Sequence, residues 1–429
     1  MQITSLERQR LSSFDWRLLV AKLLLLTATF PVQVYAVPGF EVTPSLILAA
    51  FALVLFDPRN KLHLAVVGFL GLCGFIALFG MVGSEGRLRN LLGAASYSSG
   101  APYILVGAVF ASRAYDLPSM MRITTPAAVT MLAMLLVDVY LTDGNLVQSA
   151  AYRSTSYVSA ETTFIASVFP FYGKYAVITL ATVTMLIGVF SLASVEAYSA
   201  KTVKAFVLAS STALIIIAFW MWSRQVMLGV VIFYVVLLLI AFRSRYAWIS
   251  ALLFAVILSA LISTGKAGVY VPGSNTVSTQ AIASSKIARA GENIAKGDFN
   301  DLSTGRLGIY QDAVARLTPS ILAKGCGFCN LVDVMSFQFS SLHNVPLTAI
   351  YKGGFIYASI YIGAAFFGLY GLWRLKRSFG RDVAIAALAS LLAQSAVNDV
   401  LYFQVIPALL FSVTGYLLSF QGKKHDVAI

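Results

Sequence analysis

Charged side chains are scarce in this sequence. They make up 11% of its 429 residues, against about 25% in soluble domains. A water-soluble fold has no way to hide the 59% that is hydrophobic, so the bilayer is the solvent that fits. Acids are the scarcer sign, 18 against 31 Lys and Arg, for a formal net charge of +13. They do not cluster. No Asp-x-Asp pair is present to hold a divalent metal on a sugar nucleotide, and Asp298, Asp301, Asp312 and Asp333 are not spaced as ligands. Neither a Walker loop nor H-E-x-x-H occurs, so chemistry without metal or cofactor is the simpler expectation. Of the three cysteines, Cys73 lies in an apolar run and reads as packing. Cys326 and Cys329 form one C-x-x-C with no second pair, which leaves a zinc site unsupported. In an oxidising exterior they close into a small disulfide, or they are two chance thiols. The basic residues are scattered among helix ends without an aromatic stripe, which argues against a nucleic-acid partner.

What is abundant is apolar run. A span needs roughly 20 such residues, and about twelve candidates can be read. They are Arg17–Tyr35, Thr43–Phe56, Leu62–Val82, Ala101–Ala111, Ile123–Leu141, Tyr175–Ser194, Ala205–Trp222, Gln225–Phe242, Ala247–Ser263, Val345–Trp373, Val383–Val397 and Phe403–Phe420. The second, fourth and eleventh are short, so the count lies between about ten and twelve. The expected fold is an all-α polytopic membrane protein, a single transmembrane domain over 1–429. The end of the first run, Val34-Tyr35-Ala36, mimics a cleavage site. Its removal would disturb the charge alternation, so the helix is expected to stay.

That alternation sets orientation. With the N-terminus in the cytoplasm, the short inner connections hold Arg59/Lys61, Arg113, Lys201/Lys204, Arg243/Arg245 and Arg374/Lys376/Arg377/Arg381, and the tail holds Lys423/Lys424. Both termini are then cytoplasmic, and the basic excess faces anionic membrane lipids. The outer side receives the longer loops, Thr142–Lys174 and a large one at 264–342 between the ninth and tenth spans. A loop of that length is usually functional. Within it Ser278–Lys296 reads as a polar helix. Leu307, Tyr310, Val314 and Leu317 share one face of an amphipathic helix over Gly305–Leu317. The chain re-enters the membrane at His343-Asn344-Val345-Pro346, with Pro in the first turn of a helix.

His343 is the one histidine placed at the outer surface beside a helix start. The plain alternative is an interfacial histidine with no role. Against it, a helix N-terminus carries partial positive charge, a field that favours the neutral imidazole a general base needs and attracts phosphate. Arg224, between two apolar runs with almost no loop, is either a functional group or an anchor beside Trp220 and Trp222. Arg306 opens the amphipathic helix and would otherwise be a solvated loop charge. Arg87, Arg89 and Arg153 lie in outer loops, and Lys352 lies a turn or more inside the tenth span. Such a face suits a lipid-linked phosphate or diphosphate.

Four pieces in order then resemble the O-antigen ligase and Wzy-type polysaccharide polymerase superfamily. They are Trp222-Ser223-Arg224; Gly305-Arg306-Leu307-Gly308-Ile309-Tyr310-Gln311-Asp312-Ala313; Pro319 followed by Gly325-Cys326-Gly327; and His343-Asn344-Val345-Pro346-Leu347 with Gly353-Gly354 beyond. The likeness covers residues 200–400, and the first half only through hydropathy. It implies an inverting, metal-independent membrane glycosyltransferase of the GT-C type in the bacterial inner membrane. The donor would be a glycan on undecaprenyl diphosphate at the periplasmic face. Arg224 and Arg306 would hold the diphosphate, and His343 would take the proton of the acceptor hydroxyl. Arg87, Arg153, Tyr310, Asn344 and Lys352 are further candidates for substrate contact. The acceptor is a second lipid-linked repeat in a polymerase of O-antigen or exopolysaccharide, and lipid A-core in a ligase of lipopolysaccharide. A chain-length regulator or a flippase would be possible partners. The reading from another class is a transporter or flippase of lipid-linked oligosaccharide, which would prefer broken or charged helices at mid-membrane.

Overall fold

The computed structural model describes residues 15–29, 34–37, 40–42, 44–79, 86–141, 176–220, 224–263, 268–269, 277–278, 296, 306–331, 337, 342–397 and 405–425. The described chain is almost entirely helical. In order come α1 (Trp16–Ala28), α2 (Pro44–Ala52), α3 (Lys61–Leu78), α4 (Arg87–Ser98), α5 (Tyr103–Ser112), α6 (Leu117–Met121), α7 (Thr125–Leu141) and α8 (Ala176–Ala193). Then follow α9 (Lys201–Trp220), α10 (Arg224–Ile240), α11 (Arg245–Ser263), α12 (Arg306–Ala315), α13 (Pro319–Lys324), α14 (Val345–Arg374), α15 (Phe379–Ser395) and α16 (Val405–His425). Two short antiparallel pairs complete it, β1 (Val34–Val37) with β2 (Phe40–Val42), and β3 (Gly268–Val269) with β4 (Val277–Ser278).

Among the described residues four helical stretches are long and apolar enough to cross a membrane: Lys61–Leu78, Leu117–Val137, Lys201–Trp220 and Val345–Arg374. Shorter apolar helices cover Ala181–Ala193, Gln225–Ile240, Arg245–Ala260 and Ile406–Phe420. Large apolar side chains point outward from these helices, with Leu239 72%, Phe79 64% and Leu252 64% exposed. An exposed apolar surface of this extent needs a cover, and lipid supplies it. The chain is a membrane protein by this measure.

At the centre stands α8, whose residues from Ala181 to Ala193 are all buried. A helix apolar on every side belongs in the interior. Two of its hydroxyls pair with neighbouring helices: Gln225 Nε2 donates to Thr182 Oγ1 at 3.3 Å, and Ser191 Oγ donates to Thr125 Oγ1 at 3.4 Å, while Thr184 Oγ1 is buried without a partner among the described residues. Helices α10 and α15 run antiparallel. Ser390 Oγ donates to the Gly229 carbonyl at 2.7 Å, and Arg377 donates to the Ile240 carbonyl. Helices α5 and α16 approach through Gly107 and Gly415, where a Cβ would strike the partner backbone. Small residues let membrane helices come this close.

A second, smaller core lies apart from the bundle. It gathers Ala313, Ile321, Cys326, Cys329, Leu331, Phe337, Leu342 and Tyr351. Two expectations change here. The helix expected over Gly305–Leu317 forms as α12, but Leu307 and Val314 are exposed while Ala313 is buried. Tyr351 donates its hydroxyl hydrogen bond to the Ala313 carbonyl at 2.5 Å, so the inward face is the one small enough to admit that ring. The tenth span is also not one straight helix. Counted through, α14 runs 30 residues, but Gly354 breaks it at φ 75° and ψ −179°. The segment from Phe355 to Arg374, about 30 Å at 1.5 Å per residue, is long enough to span alone. The polar helix expected over Ser278–Lys296 lies almost wholly outside the described residues.

Candidate functional site

The site forms where two segments, α12 and the residues just before α14, meet the C-terminal end of α15. The last carbonyls of a helix have no partner within it and carry partial negative charge. Here donors from elsewhere supply what the helix lacks. Arg306, at the start of α12, donates Nη1 to the Val397 carbonyl. Asn344 donates Nδ2 to the Ala396 carbonyl at 3.1 Å, and Tyr310 donates to the same carbonyl at 3.4 Å.

His343 is fixed between these groups. Asn344 is the N-cap of α14, its Oδ1 accepting from the Leu347 amide at 3.0 Å. That cap fixes where the helix begins and sets His343 one residue before it. His343 itself has φ 51°, a left-handed backbone that few non-glycine residues adopt. Its carbonyl accepts from the Tyr310 hydroxyl at 2.9 Å. Strained backbone of this kind collects at functional sites.

Support comes from the small core. Cys326 and Cys329 are joined as a disulfide, which settles the alternative left open by the sequence. The turn they close seats on the broken helix. Cys326 N donates to the Tyr351 carbonyl at 2.8 Å and Phe328 N to the Lys352 carbonyl at 2.8 Å. These carbonyls lie in the last turn before the break, where helical partners run out. Glycine makes the approach possible: a Cβ on Gly325, at φ 62°, would sit 2.7 Å from the Gly353 and Gly354 nitrogens. On its other side Phe328 packs on α4, where Gly93 leaves room for its carbonyl.

The sequence candidates thus separate. Arg306, Tyr310, His343 and Asn344 come together. The α10–α15 pair is antiparallel, so the backbone of Arg224, first residue of α10, lies at the same end as Ala396 and Val397. Lys352 goes elsewhere. It is buried, its Nζ donates to the Cys329 carbonyl at 2.5 Å, and it lies 4.9 Å from the Tyr97 ring centroid. An ammonium near the end of a half-helix is favourable there, and contact with substrate would require it to leave that carbonyl. Arg87 opens α4, the helix that carries Gly93 and Tyr97. Arg153 lies outside the described residues.

Sequence reasoning missed the Ala396 and Val397 carbonyls that organise the cluster. The only signal was the end of an apolar run at Val397, before Asn398-Asp399. Among the described residues, no three His, Cys, Asp or Glu side chains converge as a metal site would need. The chain matches no family model and no curated protein.

Proposed function

We propose that this chain is a polyprenyl-diphosphate-dependent glycosyltransferase of the bacterial inner membrane. In this reading the chain crosses the membrane about twelve times, with both termini cytoplasmic and the 264–342 loop periplasmic. The donor is a glycan on undecaprenyl diphosphate, and the acceptor is a sugar hydroxyl of a second lipid-linked repeat or of lipid A-core. The acceptor oxygen attacks the anomeric carbon with inversion. The bond from that carbon to the diphosphate oxygen breaks, and the diphosphate leaves with the electron pair. His343 takes the hydroxyl proton. Arg306 and Arg224 stabilise the charge developing on the leaving group, and no metal is needed in this scheme.

The observation that carries the reading is the convergence of Arg306, Tyr310 and Asn344 on one helix end, with the left-handed His343 held between them. The Arg306 side chain and the His343 backbone come from distant segments to one helix end, which supports a reading in which a cation and a base act together. Deleting the gene and resolving surface glycans on a gel tests it. Lost chain length on the carrier marks a polymerase, and glycan held on the carrier but absent from lipid A-core marks a ligase. Unchanged glycans would overturn the reading.

The break at Gly354 favours one second reading, a flippase, because transporters place substrate at broken helices. The Tyr351 and Lys352 carbonyls beside this break accept from the 326–328 turn, which weighs against ion coordination there. Lipid-linked repeats stranded on the inner face of the deletion strain would support the flippase.

A further inference from the structure

A cavity of about 430 Å³ opens at the N-terminal end of α15, the end opposite the Arg306 cluster. Helix α15 has 17 residues, so the two places are separated by about 25 Å along its axis. The cavity lies between the turn joining α10 to α11 and the turn joining α14 to α15. Arg243, Arg245 and Arg377 line it, with Glu196 and Asp382.

The acids are already engaged within the fold. Asp382 Oδ1 accepts two hydrogen bonds from Arg381, from Nε at 2.9 Å and Nη2 at 2.5 Å, and its side chain is 5% exposed. Glu196 accepts from the Phe379 amide at 3.0 Å. Ser378 Oγ accepts from the Arg381 amide at 3.2 Å, so two of the amides opening α15 are already capped. The guanidiniums are more open: Arg243 and Arg245 are exposed, and Arg377, which donates to the Ile240 carbonyl and lies 3.7 Å from Asp382, still keeps 53% of its side chain accessible. With Arg381 neutralising Asp382, the lining arginines outnumber the remaining carboxylate.

Beside this positive cavity the surface is apolar. Leu239, in the last turn of α10, is 72% exposed, and Phe242, in the turn that follows, is 53% exposed. Trp248 and Leu252 form a matching outward pair at the start of α11, and Trp248 Nε1 donates to the Phe242 carbonyl at 2.7 Å. Tryptophan anchored beside arginine is the composition of a membrane interface, and basic pockets between membrane helices take anionic headgroups.

We infer that this cavity binds the phosphodiester headgroup of an anionic phospholipid, with Arg243, Arg245 and Arg377 on the phosphate oxygens and acyl chains along Leu239, Phe242, Trp248 and Leu252. Guanidinium offers phosphate the paired geometry that a point charge does not. The proposal does not depend on what the opposite end of α15 does.

The test uses the full-length protein purified in detergent and mixed with phosphatidylglycerol, phosphatidylcholine or inorganic phosphate. Native mass spectrometry counts retained lipid, and thermal unfolding reports stabilisation. Each arginine near an anionic surface contributes about fivefold in binding. The triple variant R243Q/R245Q/R377Q should lose phosphatidylglycerol retention at least tenfold. A control that removes equal charge from other helix ends, R59Q/K61Q/K201Q, should keep it. Equal loss in both variants would reduce the effect to bulk charge and overturn the site. Retention of phosphatidylcholine as strong as phosphatidylglycerol would overturn it too. Stabilisation by inorganic phosphate alone to the same degree would overturn the lipid assignment. If the triple variant unfolds, the single R243Q, on an exposed turn, should still weaken retention about fivefold, and unchanged retention would sink the proposal.

Discussion

The hydroxyl of Tyr310 donates to the backbone carbonyl of His343 at 2.9 Å, across 33 residues of sequence. The bond joins α12 to the residue before the N-cap of α14, and it holds His343 in its left-handed conformation. Tyr310 is thus a positioning residue for the proposed base rather than a group that itself reacts.

Removing that hydroxyl gives the first prediction. One such bond has a net worth of about 1 kcal/mol, or about fivefold in the population of the competent backbone. Tyr310→Phe should lower transfer about fivefold while membrane yield stays the same. Transfer at the wild-type rate would show that His343 does not depend on this bond.

Arg306 has two jobs in this account, and two substitutions separate them. Lysine keeps a cation at the end of α15 but lacks the planar fork that matches a diphosphate. Arg306→Lys should keep the thermal midpoint of the detergent-extracted protein and lower transfer at least tenfold. Arg306→Gln should lower both. A lysine variant with full activity would reduce Arg306 to a helix cap.

Gly354 tests the break. At φ 75° an added Cβ would lie 2.6 Å from the Ala323 carbonyl oxygen. Gly354→Ala should destabilise by about 1–3 kcal/mol, read as a lower unfolding midpoint in detergent. Gly363, on the same helix with nothing within 4 Å of its Cβ position, is the control. Gly363→Ala should be neutral or slightly stabilising, because alanine is the better helix former. Equal effects at both positions would mean that the break is not required.

The thiols offer a chemical check. With Cys326 and Cys329 bonded and Cys73 free, alkylation of the unreduced protein in denaturant should label Cys73 alone. Reduction beforehand should label all three. Labelling of Cys326 or Cys329 without reductant would contradict the disulfide.

Much of this architecture was legible in the sequence. The apolar run Ala205–Trp222 appears as α9, and His343-Asn344-Val345-Pro346 appears as a capped helix start with Pro in its first turn. Local chemistry suffices there, since a cap and a proline act within one turn. Periodicity did less for α12. It shows which residues share a face, but Tyr351 from another segment decides that the Ala313 side is buried. The Gly353-Gly354 pair was visible, yet its role as a break depends on Gly325 and the disulfide-closed turn packing against it. Lys352 reads from sequence as a candidate substrate contact inside the tenth span, because nothing in its neighbourhood of sequence reveals Cys329 or Tyr97. The carbonyls of Ala396 and Val397, like any helix end, carry no side-chain signal at all.

The central claim is that His343 takes the proton of the acceptor sugar. The direct measurement replaces the wild-type gene with His343→Ala and resolves surface and carrier-linked glycans on a gel, with membrane insertion checked alongside. General-base catalysis is worth about 10²–10⁴-fold, so long glycan should vanish while the protein inserts at the wild-type level. Glycan of wild-type length and amount from that strain would contradict the claim.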